Sequence, residues 1–339
     1  PLYIKPRIDP ALWRWLLRFA ARCNRRDWRD STAKRAVLLN ASRQLLAEAV
    51  VRHGLDCEHS DTGLTYVFRT QQLFDEIAAD LPALSEFGIR AEVQEGARVE
   101  RDEPALKPGV AGGIHFPDDG HLRPDRYLSA LARRVRELGG EIEEGVSVER
   151  IVTAQGRVEA VHTSRGVLHP RELVFALGAW SPAFANQLGL KLPIQPGKGY
   201  SITYTRPGLA PKRPMVLKER SVCVTAWSDG YRLGSTMEFS GYDESLNRVR
   251  LGALERGAAE FLHEPVGGTK QEEWFGWRPM TWDDLPFIGR APRARNLVIA
   301  AGHGMMGVSM SAVSGHLVAD LICGREPIID PAIVSPTRA

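Results

Sequence analysis

Two short stretches near the end of the chain carry the residue types and spacing that point to chemistry. The loop Gly302-His303-Gly304-Met305-Met306-Gly307 follows an apolar run and precedes a helical pattern. Glycines let the backbone come close to a flat ligand, and a helix N-terminus favours negative charge. The G-x-G-x-x-G spacing taken alone suggests a dinucleotide fingerprint, but no second strand with an acidic tip follows it, so a loop lying along a ligand is the better reading. A tight strand-to-helix turn with no ligand is the competing one. Upstream, Gly276-Trp277-Arg278-Pro279-Met280-Thr281 sets an arginine before a proline. That position biases Arg278 to extended backbone, from which a guanidinium can pair a carboxylate with two parallel hydrogen bonds. An ordinary structural ion pair is the plainer alternative for a lone arginine.

These residues need elements to position them. Asp9-Pro10 predicts a cap and first-turn proline for a helix over Ala11–Cys23, and Ser31 or Thr32 opens a second helix reaching Val51. A strand over Thr65–Arg69 and a helix over Gln72–Phe87, stopped at Gly88, follow. From Gly112 the pattern changes. Pro117-Asp118-Asp119-Gly120 is a turn, Pro124–Gly139 a helix and Glu141–Glu144 a short strand. Ser147–Thr153 and Arg157–Thr163 form a hairpin through Ala154-Gln155-Gly156. Leu173–Leu177, ending at Gly178, reads as a buried parallel strand. Tyr200–Tyr204, Val222–Trp227 and Tyr231–Thr236 read as an antiparallel sheet, Leu246–Phe261 as a helix, and Asn296–Ala301 into Ser309–Ile322 as strand, loop and helix. The fold class expected is α/β. An incomplete Rossmann-like domain with an inserted β-meander is joined to an antiparallel-sheet substrate domain. The expected divisions are residues 1–111 (helices and the start of the substrate domain), 112–195, 196–270 (the antiparallel sheet) and 271–330 (a return to the first domain).

Composition narrows the function classes. The 339 residues carry a net charge of +3, small for a general polyanion binder. Basicity is uneven: the first fifty residues hold eleven Lys or Arg against four acidic residues. The run Arg22, Arg25, Arg26, Arg29, Lys34 and Arg35 suits nucleic acid or an anionic membrane surface. Interleaved with Trp13, Leu16, Leu17 and Phe19, it reads more simply as the solvated side of an amphipathic core helix. Cys23, Cys57, Cys223 and Cys323 are far apart, which argues against a zinc site or a disulfide framework. No G-x-S-x-G elbow is present for a serine hydrolase. The uncharged run Asn296–Ala319 holds two histidines and four glycines, a poor membrane span.

Taken jointly, GWRPMTWDDLPFIGR, NLVIAAGHGMMG and the helix through Gly315–Asp320 resemble the C-terminal signature of the D-amino-acid oxidase family of FAD enzymes. Pro117–Gly120, Ala176–Ser181 and Lys198-Gly199-Tyr200 match it too, and Gly234–Glu238 resembles the D-amino-acid dehydrogenase branch more than glycine oxidase. The resemblance covers nearly the whole chain.

The resemblance implies non-covalent FAD, since no cysteine lies near Arg278 or the glycine loop. It implies oxidative deamination of a small amino acid, a D-amino acid or a D-hydroxyproline-type imino acid, by hydride transfer from Cα to flavin N5. Arg278 matches the arginine that binds the substrate carboxylate. Gly302, His303, Gly304, Met305, Met306, Gly307, Val308 and Ser309 match the loop along the flavin. Val146 matches the residue whose backbone meets adenine, and Gly178 falls near the pyrophosphate. No residue stands out as a general base. The electron acceptor is a quinone or O2, and no nucleic-acid partner is expected. Near Val222 the chain lacks the tyrosine that glycine oxidases place over substrate, which makes glycine the less expected substrate. The family's N-terminal Gly-rich βαβ unit is not found, so a preceding segment or a partner subunit is expected to supply it. The expected location is cytoplasmic, with peripheral attachment at the inner face of the membrane as the variant. Rival readings are a glycine/sarcosine-type amine oxidase, an FAD-deficient fragment or non-catalytic subunit, and an RNA-docking protein.

Overall fold

The computed structural model describes residues 2–338. In chain order, strand β1 (Leu2–Ile4) precedes helices α1 (Pro10–Ala21) and α2 (Arg25–His53). Then come β2 (Leu64–Phe68), α3 (Gln71–Ala78), α4 (Leu81–Ser85), β3 (Glu92–Glu95), α5 (Gly96–Asp102), β4 (Gly112–Phe116) and α6 (Pro124–Glu137). The meander β5 (Val148–Ala154), β6 (Arg157–Thr163) and β7 (Gly166–Leu168) leads to β8 (Leu173–Phe175) and α7 (Ser181–Ala185). The remainder is β9 (Gln195–Thr205), β10 (Met215–Leu217), β11 (Val222–Ala226), β12 (Gly230–Phe239), α8 (Arg248–Phe261), β13 (Lys270–Met280), β14 (Phe287–Ala291), β15 (Ala294–Ala301) and α9 (Ser311–Cys323).

The chain forms two compact units. The first comprises the stretch through Lys5, Asp56–Ala130 and Lys198–Gly276; the second comprises Pro6–Leu55, Leu131–Gly197 and the chain from Trp277 on. This differs from the expected divisions at residues 6–55, 112–130 and 271–276, the first two for clear physical reasons. Helix α2 belongs to the second unit because Leu38 packs in one core with Val313 and Leu317 of α9. Strand β4, expected to begin a new domain, stays in the first unit because it pairs antiparallel with β2 and β3.

The first unit is built on a nine-stranded sheet, in the order β13-β9-β12-β11-β10-β2-β4-β3, with β1 added to β12. Its core holds Tyr200, Ile202, Leu217, Val224, Tyr231, Leu233, Leu254 and Phe261, all at most 2% exposed. Each such side chain contributes about 1.5–3 kcal/mol by leaving water. The alternation expected for β11 and β12 places Val222, Val224, Tyr231 and Leu233 inward, as half-buried strands require.

The second unit holds the sheet β14-β15-β8 and the separate meander β5-β6-β7. The meander's tie to the first of these is a side chain acting as backbone. Asn296, 1% exposed on β15, accepts from Val158 N at 2.8 Å through Oδ1 and donates to Val158 O at 3.0 Å through Nδ2.

Local expectations mostly hold where a cap or a turn dictates them. Asp9 caps α1 through a hydrogen bond from Leu12 N, with Pro10 in the first turn. The hairpin through Ala154–Gly156 is present. Four differ. Helix α2 opens at Arg25, because Asn24 accepts from Asp27 N and caps it ahead of Ser31 and Thr32. The helix expected over 72–87 is two, since Pro82 has no N–H to continue α3 and instead sits in the first turn of α4. Residues 141–144 are exposed and form no strand. In α1 the inward residues are Leu12 and Trp15, while Trp13, Leu17 and Phe19, expected in the core, are exposed.

Candidate functional site

The site begins with a pair of strands. β8 and β15 run parallel, with Leu173 opposite Leu297, Val174 opposite Val298 and Phe175 opposite Ile299. Gly178 and Gly302 each follow three positions after the last pair, so both turns leave the same carboxyl end of the sheet. That end is where open α/β sheets receive ligands. Strand β14 is antiparallel to β15, pairing Phe287 with Ala301. Its approach, Thr281 to Pro286, therefore arrives at the same end.

Gly302 (φ +81°) and Gly304 (φ +56°) take left-handed backbone, which glycine adopts without steric cost. Side-chain atoms built on them meet the Arg278–Asp284 segment. A Cβ at Gly302 falls 2.8 Å from Thr281 Cγ2, and one at Gly304 falls 3.1 Å from Asp284 Oδ1. Gly304 N donates to Pro279 O at 3.1 Å, which stitches the loop to the residue after Arg278. Arg278 is half-buried at the end of β13, extended as its place before proline requires. Thr281 is 1% exposed and its hydroxyl has no hydrogen-bond partner among the described residues.

Asp283 and Asp284 do different work. Arg338 donates to Asp283 at 2.9 Å and to Leu285 O at 2.6 Å, fixing the turn from behind. Asp284 has left-handed backbone (φ +58°) and takes a 2.5 Å bond from Arg35 of α2. Burial pushes its carboxyl up from the ordinary value, against the lowering effect of the Arg35 guanidinium.

His303 shares a 2.9 Å hydrogen bond between Nε2 and Ser314 Oγ of α9. Burial lowers its pKa to about 4, so the ring is neutral near pH 7. Met306 N donates to His303 O at 3.0 Å and Met310 N to Met306 O at 2.8 Å, which folds Met305–Met310 into turns. Met306 packs on the α2–α9 core, whereas Met305, Val308 and Ser309 are exposed and Gly307 is half-buried. α9 starts at Ser311, later than the sequence pattern suggested, and its Val313 N is taken by Ser42 Oγ at 3.3 Å. One of the helix's free first-turn donors is thus already satisfied by protein.

Val146 and Gly178 meet in an open cleft of about 720 Å³, lined by Val146–Val148, Ala176–Gly178, Trp180 and Phe184. Trp180 stands edge-on to Trp277 at 5.6 Å between ring centres, one residue from Arg278. Sequence reasoning missed Trp180, Phe184, Thr281 and the Arg35–Asp284 pair. A signal existed for Thr281 and the aspartates, the Thr-x-Asp-Asp run that begins three residues after Arg278. None existed for Arg35, which lies 249 residues from its partner.

The matching motifs of the first unit take structural positions. Lys198, fully buried, donates to Asp243 O at 2.6 Å and Ser245 O at 2.5 Å. Glu238 pairs with Arg250 at 3.0 Å beside a β-bulge between Ser235 and Glu238. Val222, near which the chain lacks the glycine-oxidase tyrosine, is core.

Comparison with known proteins gives consistent matches. A family model described as FAD dependent oxidoreductase (DAO) matches residues 15–321. The chain is 36% identical over its whole length to the D-amino acid dehydrogenase of Chromohalobacter salexigens, spanning 82% of that protein. It is 35% identical to the D-amino acid dehydrogenase of Methylobacterium nodulans, with all of this chain and 82% of the relative covered. Among solved structures it is similar to glycine oxidase from Geobacillus kaustophilus, with TM-score 0.80 and 26% identity over 89% of this chain and 82% of that one. L-proline dehydrogenase from P. horikoshii shares the fold, with TM-score 0.76 and 20% identity over 89% and 82% of the two chains.

Proposed function

The chain belongs to the DAO family of FAD-dependent oxidoreductases, and from that premise we propose that it oxidises a small D-amino acid, or a D-hydroxyproline-type imino acid, at Cα. The residues fit the family's cofactor. A buried hydroxyl without a partner at Thr281, glycines at 302 and 304, and a cleft at Val146 and Gly178 collect at or beside one end of a parallel strand pair. Val146–Val148 and Gly178 would hold the nucleotide side of FAD, and Gly302–Ser309 would lie along the flavin. When bound, FAD would supply the acceptor for the hydride, which leaves Cα with both electrons of the C–H bond.

The chain's own residues bind, orient and exclude water. Arg278 takes the substrate carboxylate, fixing which Cα substituent faces the cofactor. Trp277 and Trp180 supply apolar surface beside it. His303, uncharged near pH 7, adds no cation to the loop, and its bond to Ser314 holds the turn in place. Loss of the substrate's ammonium proton goes to water. The product imine is then hydrolysed in solution.

The observation that carries this reading is the Gly304 N to Pro279 O bond, which fixes the arginine's strand end against the glycine loop. The names of the two dehydrogenase relatives support a D-amino acid as the substrate. The likeness to a glycine oxidase supports a second reading, a glycine- or sarcosine-type amine oxidase.

The protein loaded with FAD, mixed without oxygen with D-amino acids, D-hydroxyproline, glycine or sarcosine, should lose its yellow absorption with the first two. Bleaching by glycine or sarcosine alone would select the second reading, and bleaching by none would remove both. Arg278→Ala should raise KM for carboxylate substrates by about tenfold or more, on the order of 1.4–2 kcal/mol for a charge-assisted pair. An unchanged KM takes Arg278 out of the site.

A further inference from the structure

Arg35 closes the basic run that begins at Arg22, but it behaves unlike most of that run. Arg22, Arg25, Arg26 and Arg29 are exposed, whereas the Arg35 side chain is 24% exposed and turns onto Asp284, whose side chain is 29% exposed. Both residues belong to the second unit, one on α2 and the other on the turn between β13 and β14. Arg35 Nη1 donates to Asp284 Oδ2 at 2.5 Å and Nη2 to Thr32 Oγ1 at 3.3 Å. Its Nε is buried with no hydrogen-bond partner among the described residues. Asp284 turns its other oxygen, Oδ1, toward the glycine loop, 3.1 Å from where a Cβ on Gly304 would stand.

As a stabilising device this pair is poorly made. Two charges withdrawn from water gain little net stability from each other. One guanidinium donor is left unpaired, which adds a cost, and an aspartate at φ +58° carries strain that a glycine there would not. Its position beside the loop gives it another use. From Gly302 to Met310 the loop has no carboxylate, lysine or arginine, and burial keeps His303 uncharged near pH 7. Other charges at this turn are occupied: Arg338 holds Asp283 at 2.9 Å, and the Arg18 guanidinium stacks on Trp282 at 4.2 Å.

We propose that Asp284 and Arg35 set the reduction potential of the flavin lying along Gly302–Ser309. Arg35 is the half-buried cation that favours the reduced form, and Asp284 is the carboxylate that positions and attenuates it. A flavin gains negative charge on accepting a hydride, so fixed charge near its ring shifts the balance between its two states. Neither side chain touches substrate in this role; both are positioning residues. The inference rests on the reading of that loop as the flavin contact, and holds whichever amine is oxidised.

The test is a reductive titration of the full chain loaded with FAD, against a dye of known potential, at about pH 8 so that the carboxylate stays ionised. Asp284→Asn keeps the shape and the tolerance of left-handed backbone but removes the charge. It should favour the reduced flavin about tenfold, a potential about 30 mV more positive. Arg35→Met should disfavour it by about the same factor, and the double variant should return to within about threefold of the parent. Opposite signs are what an electrostatic role requires, whereas loosened packing would move both variants the same way. FAD bound with both potentials unmoved, moved alike or moved in the reverse sense would overturn the proposal and leave the loop reading standing. A full chain that takes up no FAD would overturn both. If Arg35→Met does not fold, Asp284→Asn decides alone, a rise in potential supporting the proposal and an unmoved or lower one overturning it.

Discussion

The turns after β8 and β15 leave the same end of one sheet, yet they are built differently. A Cβ added at Gly178 meets nothing within 4 Å, and the residues around it line an open cleft. A Cβ added at Gly302 lands 2.8 Å from Thr281 Cγ2 and 3.3 Å from Phe287. Both glycines have positive φ, +53° and +81°, so the backbone demand is alike and the surroundings are not. One strand end is left open for a ligand to fill. The other is closed by its own chain, with its shape set before a ligand arrives. A rigid turn next to a mouldable cleft suits a cofactor whose reactive end needs exact placement and whose remainder needs only room.

The most damaging way to test that contrast is Gly302→Ala. Left-handed strain on an alanine costs about 1–2 kcal/mol, and overlap with a β-branched side chain that cannot withdraw adds about 1–3 more. A loss of about 3 kcal/mol in urea unfolding is expected, together with release of FAD read by the fluorescence of free flavin. A loss under about 1 kcal/mol would mean that the closed end is softer than its packing indicates.

A second test uses charge, which only the closed end carries. An unfolded histidine takes its proton near pH 6.5, whereas His303 in the fold does so only near pH 4. Between those values the unfolded chain holds more protons, so the His303 contribution makes the fold less stable as pH falls from 6.5 to 4 and is level above 6.5. The effect should reach about 2–3 kcal/mol at pH 4, seen as the difference in pH slope between parent and His303→Gln. Equal slopes would show that the ring already binds a proton in the fold.

What the sequence made legible about these two turns is local. Glycine spacing at 302 and 304 announces a tight turn that lets backbone approach closely, and the Arg-Pro dipeptide announces the extended Arg278. The hairpin at Gln155-Gly156 and the Asp9 cap are readable for the same reason. Pairing between β8 and β15 joins Phe175 to Ile299 across more than a hundred residues, and nothing local encodes it. The Arg35–Asp284 bond is equally remote. The misreading of α1 has another cause. Apolar residues lie on two faces of that helix, so periodicity alone cannot say whether Leu12 and Trp15 or Trp13 and Leu17 turn inward; only the packing of the second unit decides. Left-handed backbone at Asp284 was hidden because an aspartate stands where a glycine would have signalled it.

The smallest effect expected is at Gly178, and it separates strain from packing. Gly178→Ala has only the left-handed backbone to contend with, partly offset because alanine restricts the unfolded chain, so the net loss should be about 1 kcal/mol. Gly178→Asn should lose less, since asparagine tolerates left-handed backbone and its side chain has open space to enter. The ratio is the informative quantity: replacing Gly302 by alanine should cost about three times as much as replacing Gly178. FAD affinity should move the other way for the larger side chain. Asparagine at 178 projects toward the cleft that the nucleotide side would occupy, so it should weaken FAD binding more than alanine does while destabilising the fold less. If both variants at 178 bind FAD as the parent does, the cleft of Val146 and Gly178 is not where the nucleotide lies, and only the β15 turn remains as a cofactor contact.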